Sequence, residues 1–118
     1  MSMETVITLF LVLLLTIIFE TFIASLIGMN IEKNLKSLII VNTLTNIPLN
    51  IIMIIIDEVF SLNIILIVSI EIFLEIIVVI IEYLVYKKWL KDFNKIGVYV
   101  ILANIFSYTL GWFISLVI

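Results

Sequence analysis

The chain of 118 residues has no cysteine, no histidine and no arginine. The first absence removes disulfides and thiolate nucleophiles, and with the second it removes haem ligation and nearly every zinc site. Neither a Ser-His-Asp nor a Cys-His arrangement can be built. Without arginine there is no bidentate clamp for phosphate or carboxylate. Positive charge is scarce altogether: six lysines stand against nine acidic residues, for a net charge of -3. With no basic stripe, the composition argues against a nucleic-acid partner.

What fills the chain is hydrocarbon. It is 65% hydrophobic with a mean hydropathy of +1.45, whereas soluble domains are nearer half apolar, so the natural solvent is lipid. Four apolar runs, 5–28, 37–56, 62–86 and 97–118, each approach the ~20 residues needed to cross a ~30 Å hydrocarbon layer. The expectation is an all-α membrane protein: one integral domain over 1–118, a bundle of four transmembrane helices built as two tandem hairpins. The opening "MSMETVITLF" lacks the positive segment of a signal peptide and leads into a run too long for one. It reads as a retained membrane helix.

All six lysines fall in two places. Lys33 and Lys36 lie between the first and second runs, and Lys87, Lys88, Lys91 and Lys95 between the third and fourth. The middle connection, "DEVFSLN", is acidic. The positive-inside rule then puts both lysine loops in the cytoplasm, with both termini and the Asp57–Glu58 turn outside a multi-pass cell-membrane protein. Tyr83, Tyr86 and Trp89 fall where an aromatic belt would lie. A shift of 62 positions aligns Glu20 with Glu82, Asn42 with Asn104, Lys33 with Lys95 and Thr45 with Ser107, which is what a parallel duplication of one hairpin would leave.

The polar residues inside the runs are few and ordered. Glu71, Glu75 and Glu82 share one stripe of a helix, Asn42, Asn46 and Asn50 step by four, Asn104, Ser107, Tyr108 and Gly111 share a side, and so do Thr16, Glu20 and Ala24. Measured from the lysine loops at ~1.5 Å per residue, Glu82 lies roughly 8 Å deep, Glu20 roughly 12 Å, Asn42 and Asn46 roughly 9 and 15 Å, Asn104 roughly 14 Å and Glu75 roughly 18 Å. The expected arrangement turns these stripes inward, with Ala24, Gly28, Ser107 and Gly111 allowing close helix packing.

An ionised carboxylate in hydrocarbon costs at least ~2.5 kcal/mol. The glutamates therefore need a proton, water or a cation, and no lysine lies at their depth. In "NTLTNIPLN", residues 42–50, Pro48 lacks the N–H that would bond the Leu44 carbonyl, leaving backbone oxygen beside Asn46. Oxygen ligands of this kind suit hard cations: Na⁺, Mg²⁺, Ca²⁺ or Mn²⁺. The expected ion- or substrate-binding set is Glu20, Asn42, Asn46, Glu75, Glu82, Asn104 and Ser107, with Glu75 and Glu82 as metal ligands if a metal binds. Glu32, Asp57, Glu58 and Asp92 read as solvated loop charges.

The order of Glu20, "VNTLTNIPLN", "EIIVVIIE" and "NIFSYTLG" resembles small prokaryotic four-helix integral membrane proteins of uncharacterised activity, with an N-x-x-T-N-x-P helix and an E-x-x-V-V-x-x-E helix. The resemblance spans Glu20 to Gly111 and implies a membrane bundle; it brings no activity with it. From the residues themselves, the first expectation is cation- or proton-coupled transport or ion binding, acting as a homo-oligomer or within a larger complex. The alternatives are an accessory subunit whose carboxylates pair with a partner chain, and a membrane enzyme holding Mg²⁺ for lipid chemistry. The lack of His, Cys and Arg counts against the enzyme.

Overall fold

A computed structural model describes residues 2–60 and 63–117. Four helices occupy almost all of them: α1 (Met3–Ile27), α2 (Ile31–Phe60), α3 (Ile64–Trp89) and α4 (Ile96–Val117). In lipid every backbone polar group must be bonded within the protein, and a helix does this inside one segment. The helix ends carry their own caps. Ser2 Oγ accepts from Thr5 N at 3.2 Å, Asn30 Oδ1 from Lys33 N at 3.1 Å and Asn63 Oδ1 from Leu66 N at 2.9 Å, each satisfying an orphan donor of a first turn. α1 stops at Gly28, whose φ of 102° is the left-handed cap conformation glycine adopts freely. Its N–H bonds Ser25 O, and Met29 N reaches Ala24 O at 2.9 Å, closing the turn as a Schellman motif. Met29 is buried against Ala24 in the core beyond it.

All four helices are long and apolar enough to cross a membrane, and the molecule measures 45 × 26 × 22 Å, enough to span a ~30 Å hydrocarbon layer and part of its interfaces. The outer surface is hydrocarbon: Phe10, Leu14, Ile18 and Phe22 on α1, and Phe73, Ile76, Ile80 and Leu84 on α3, are all exposed. The fold is a multi-pass four-helix bundle in a bilayer environment. Around it, α1 packs on α2 and α4, and α3 packs on the same two, while the backbones of α1 and α3, and of α2 and α4, stand apart across the diagonals. The two diagonals therefore pair the helices that the 62-residue shift equates. That shift also sets buried residues on buried ones: Thr16 on Val78, Glu20 on Glu82, Ala24 on Tyr86, Leu38 on Val100, Val41 on Ala103 and Asn42 on Asn104.

Several helix limits differ from those expected. α2 starts at Ile31, not 37, and runs through Phe60, so Lys33, Lys36, Asp57 and Glu58 are helical. α3 continues to Trp89 and carries Lys87 and Lys88 in its last turn. Hydropathy marks where the bilayer ends, whereas caps mark where the helix ends. The expected limits at 62 and 118 lie outside the described residues. α2 passes through Pro48 as one helix. Gly28 is a cap and not a packing residue, and Gly111 is exposed, with open space where a Cβ would go. Of the small residues expected at helix contacts, Ala24 is fully buried and Ser107 half-buried.

Packing is uneven along the bundle axis. The core of Ile23, Ala24, Met29, Leu38, Val41, Tyr86, Tyr99, Val100 and Ala103 lies toward the lysine end. From Ile64 to Ile77 on α3, and from Ile105 to Phe113 on α4, no side chain is fully buried. The bundle is closed at the lysine end and looser at the other.

The lysine end is tied by Asn34, which is fully buried. Its Nδ2 donates to Asn30 O at 2.9 Å and to Lys91 O at 3.0 Å, and its Oδ1 accepts from Lys91 N at 2.8 Å. One side chain thus meets both backbone groups of Lys91 in the α3–α4 connection. Beside it, Lys33 Nζ donates to Asp92 Oδ2 at 2.7 Å, both groups well exposed. Asp92 has a φ of 55°, which Asp tolerates better than most residues. The Lys33 ammonium holds its carboxyl below the usual range, by hydrogen bond first and by charge second.

Candidate functional site

The residue pattern that turns Thr16, Glu20 and Ala24 to one side of α1 places all three in the interior. On α3 the same spacing buries Val78, Glu82 and Tyr86. Glu20 and Glu82 are each 1% exposed, and stand close enough across the bundle for each to feel the other's charge. Two carboxyl groups thus share the buried interior of the bundle. Ser107 of α4 stands alongside Glu20, and Asn104 and Thr45 flank Glu82. None of these neighbours completes a hydrogen bond to Glu20 Oε2 or Glu82 Oε1, and Ser107 Oγ is likewise without a partner. Among the described residues no lysine pairs with either carboxyl; the ion pair there is Lys33–Asp92, out in solvent.

The two asparagines that cross-register with the glutamates behave alike. Asn42 Nδ2 donates to Leu38 O at 2.7 Å and Asn104 Nδ2 to Val100 O at 2.8 Å. Each amide nitrogen places one proton on its own helix four residues back and keeps a second; Asn42 Nδ2 also lies 3.4 Å from the Tyr86 hydroxyl, and Asn104 stands beside Glu82. Asn46 Nδ2 then donates to Asn42 O at 3.0 Å and stands 3.4 Å from Asn42 Oδ1. Thr45 Oγ1 donates to Val41 O at 2.9 Å. Several amide and hydroxyl protons are thus spent on backbone carbonyls, while the Ser107 hydroxyl has no such partner.

The set expected from sequence separates into parts. Glu20, Glu82, Asn42 and Asn104 are buried together, and Asn46 and Ser107 are half-buried at their edge. Glu75 is half-buried on the looser side, within electrostatic reach of Glu71 and Glu82. It lines a groove between α3 and α4 together with Asn104 and Tyr108. Among the described residues no group of three or more acidic side chains gathers closely enough to hold a metal ion.

Two residues of the site were not expected. Tyr86, assigned from sequence to an interfacial belt, is fully buried, while Tyr83 and Trp89 are exposed as a belt requires. Tyr86 follows Glu82 by four residues, so it must share the face that Glu82 turns inward. Tyr99, also fully buried, packs edge-on against it with ring centroids 5.5 Å apart and against Phe93 at 6.5 Å. The Tyr86 hydroxyl lies 3.4 Å from Asn42 Nδ2. These rings close the polar interior on the lysine side.

Compared with known proteins, the chain matches no family model, no curated protein and no solved structure. The reading of the site rests on its own chemistry.

Proposed function

We propose that this is a small cation- or proton-handling membrane protein, whose Glu20–Glu82 pair binds and releases the ion. The observation that carries this reading is the burial of both carboxyls at 1% exposure with no basic residue beside them. Two uncompensated charges in a low-dielectric interior are strongly unfavourable, and the protein must supply a proton or a cation to the pair. Asn42, Asn104 and Ser107 offer neutral oxygens around it, which suits a proton or a hard monovalent cation better than a soft metal. Glu71 and Glu75, half-buried in the looser half, continue the acidic stripe toward the end away from the lysines and give an ion a route in. The tyrosine layer and the Asn34 tie close the other side. By the positive-inside rule the closed end is cytoplasmic.

The same burial weighs against the accessory-subunit reading, since a partner chain's lysine cannot reach a carboxyl enclosed by four helices. The resemblance to small prokaryotic four-helix proteins is compatible with this function and adds no activity to it. The test is flux. Purified protein in liposomes carrying a pH-sensitive or Na⁺-sensitive dye should dissipate an imposed ion gradient, and Glu20→Gln/Glu82→Gln should not. Equal rates for wild type and double variant would refute the proposal.

A further inference from the structure

We propose that the groove between α3 and α4 binds an amphipathic organic cation reaching it sideways from the lipid. The groove has a volume of about 370 Å³, within the range of sites for small organic molecules. Its walls are chiefly isoleucine, including Ile76, Ile101 and Ile105. The polar groups set into them are selective in kind. Glu75 brings a carboxylate with no cation paired to it among the described residues. Asn104 has one amide proton on Val100 O and stands beside Glu82, while the Thr109 hydroxyl donates to Ile105 O at 2.8 Å and so presents oxygen. Tyr108 adds an aromatic ring near Glu71 and Glu75, where a cation can lie against its face.

An apolar wall with one carboxylate and an aromatic ring complements a molecule that is greasy and positively charged. An acyl chain would leave Glu75 unmatched, and an anion would be repelled by it. A lipid headgroup ammonium sits at the interface, whereas Glu75 lies roughly 18 Å in from the lysine end. Asn104 lines the groove and also flanks Glu82, so a cation in the groove lies one residue from the buried pair. The inference names the substrate class of that site and rests on the cation-handling reading.

The experiment is equilibrium binding of radiolabelled tetraphenylphosphonium to the purified full chain in detergent, with tetraphenylborate as the anion of equal size and shape. Wild type should bind the cation and not the anion. Glu75→Gln should weaken cation binding about tenfold or more, Glu75→Asp should retain most of it, and Ile105→Trp, which fills the groove and keeps the charge, should abolish it. Equal binding of both probes, no cation binding at all, or binding indifferent to Glu75→Gln and Ile105→Trp would overturn the inference. Ion flux lost in Glu20→Gln/Glu82→Gln while the groove binds nothing would overturn the groove alone. Cation binding at Glu75 with flux unaltered by the double variant would instead overturn the ion-handling reading.

Discussion

At Glu20 and Glu82 the sign of a substitution is informative. A carboxylate buried without a partner destabilises the fold, so replacing it with a neutral amide should help. We expect Glu82→Gln and Glu20→Gln each to raise the melting temperature at pH 8 without added ions, by about 1–3 kcal/mol of stability. The double variant should gain less than the sum, because removing either charge relieves the other. Thermal melts in detergent check this, and a fall of several degrees in both single variants would mean each carboxyl has a favourable partner. Asn34 carries the opposite sign. Asn34→Ala strips both backbone groups of Lys91 of their bonds, and should cost about 2–3 kcal/mol in the same assay. An unchanged melt would show that the tie contributes nothing. The burial of Glu20, Glu82 and both asparagines was legible in the sequence, because a polar residue among isoleucines has one direction in which to hide. Tyr86 was misread for a related reason: a tyrosine three residues from Trp89 suits the interface equally well, and only its four-residue spacing from Glu82 decides the matter.

Among the elements, α2 is the one whose sequence departs most from smooth hydrocarbon. It nevertheless runs unbroken through Pro48, and its polar side chains bond mainly to its own carbonyls. Pro48→Ala restores the missing donor to Leu44 O and should raise thermal stability. If the freed carbonyl is part of the ion path, flux falls in the same variant; if flux is unchanged, the proline shapes the helix and nothing more. The α3–α4 connection has its own pH signature. Because the folded state holds the Asp92 carboxyl below its ordinary value, the Lys33–Asp92 tie contributes fully above the unfolded pKa. That contribution is lost as pH falls through the depressed folded value. Asp92→Asn keeps a residue that tolerates positive φ and removes only the charge, so its melt should match wild type at acidic pH and differ slightly at neutral pH. An identical difference at both would contradict the assignment. The extension of α2 back to Ile31 was not legible, since lysines at a membrane edge look alike on a helix and in a loop; Asn30 as a cap is the signal that was there to use.

For the molecule as a whole, the closed and loose ends define a direction. The chain has no native cysteine, so single cysteines report water access without background. We expect Glu71→Cys and Glu75→Cys to react with a membrane-impermeant maleimide, and Ala24→Cys and Ala103→Cys to be protected. The reverse order would place the route in through the lysine end. The four-helix membrane bundle was legible from the length and spacing of its apolar runs. The uneven packing was not, because isoleucine and leucine fill both halves and nothing in their order distinguishes a core contact from a lipid contact. The measurement that bears most directly on the account is the melting temperature of the purified protein across pH and a panel of Na⁺, Mg²⁺, Ca²⁺ and Mn²⁺, wild type beside Glu20→Gln/Glu82→Gln. A ligand that binds the native state and not the unfolded chain raises its stability, increasingly as its concentration exceeds Kd. The account predicts a shift in wild type with protons or with one hard cation, absent from the double variant; melts of the two proteins that run parallel across every condition would contradict it.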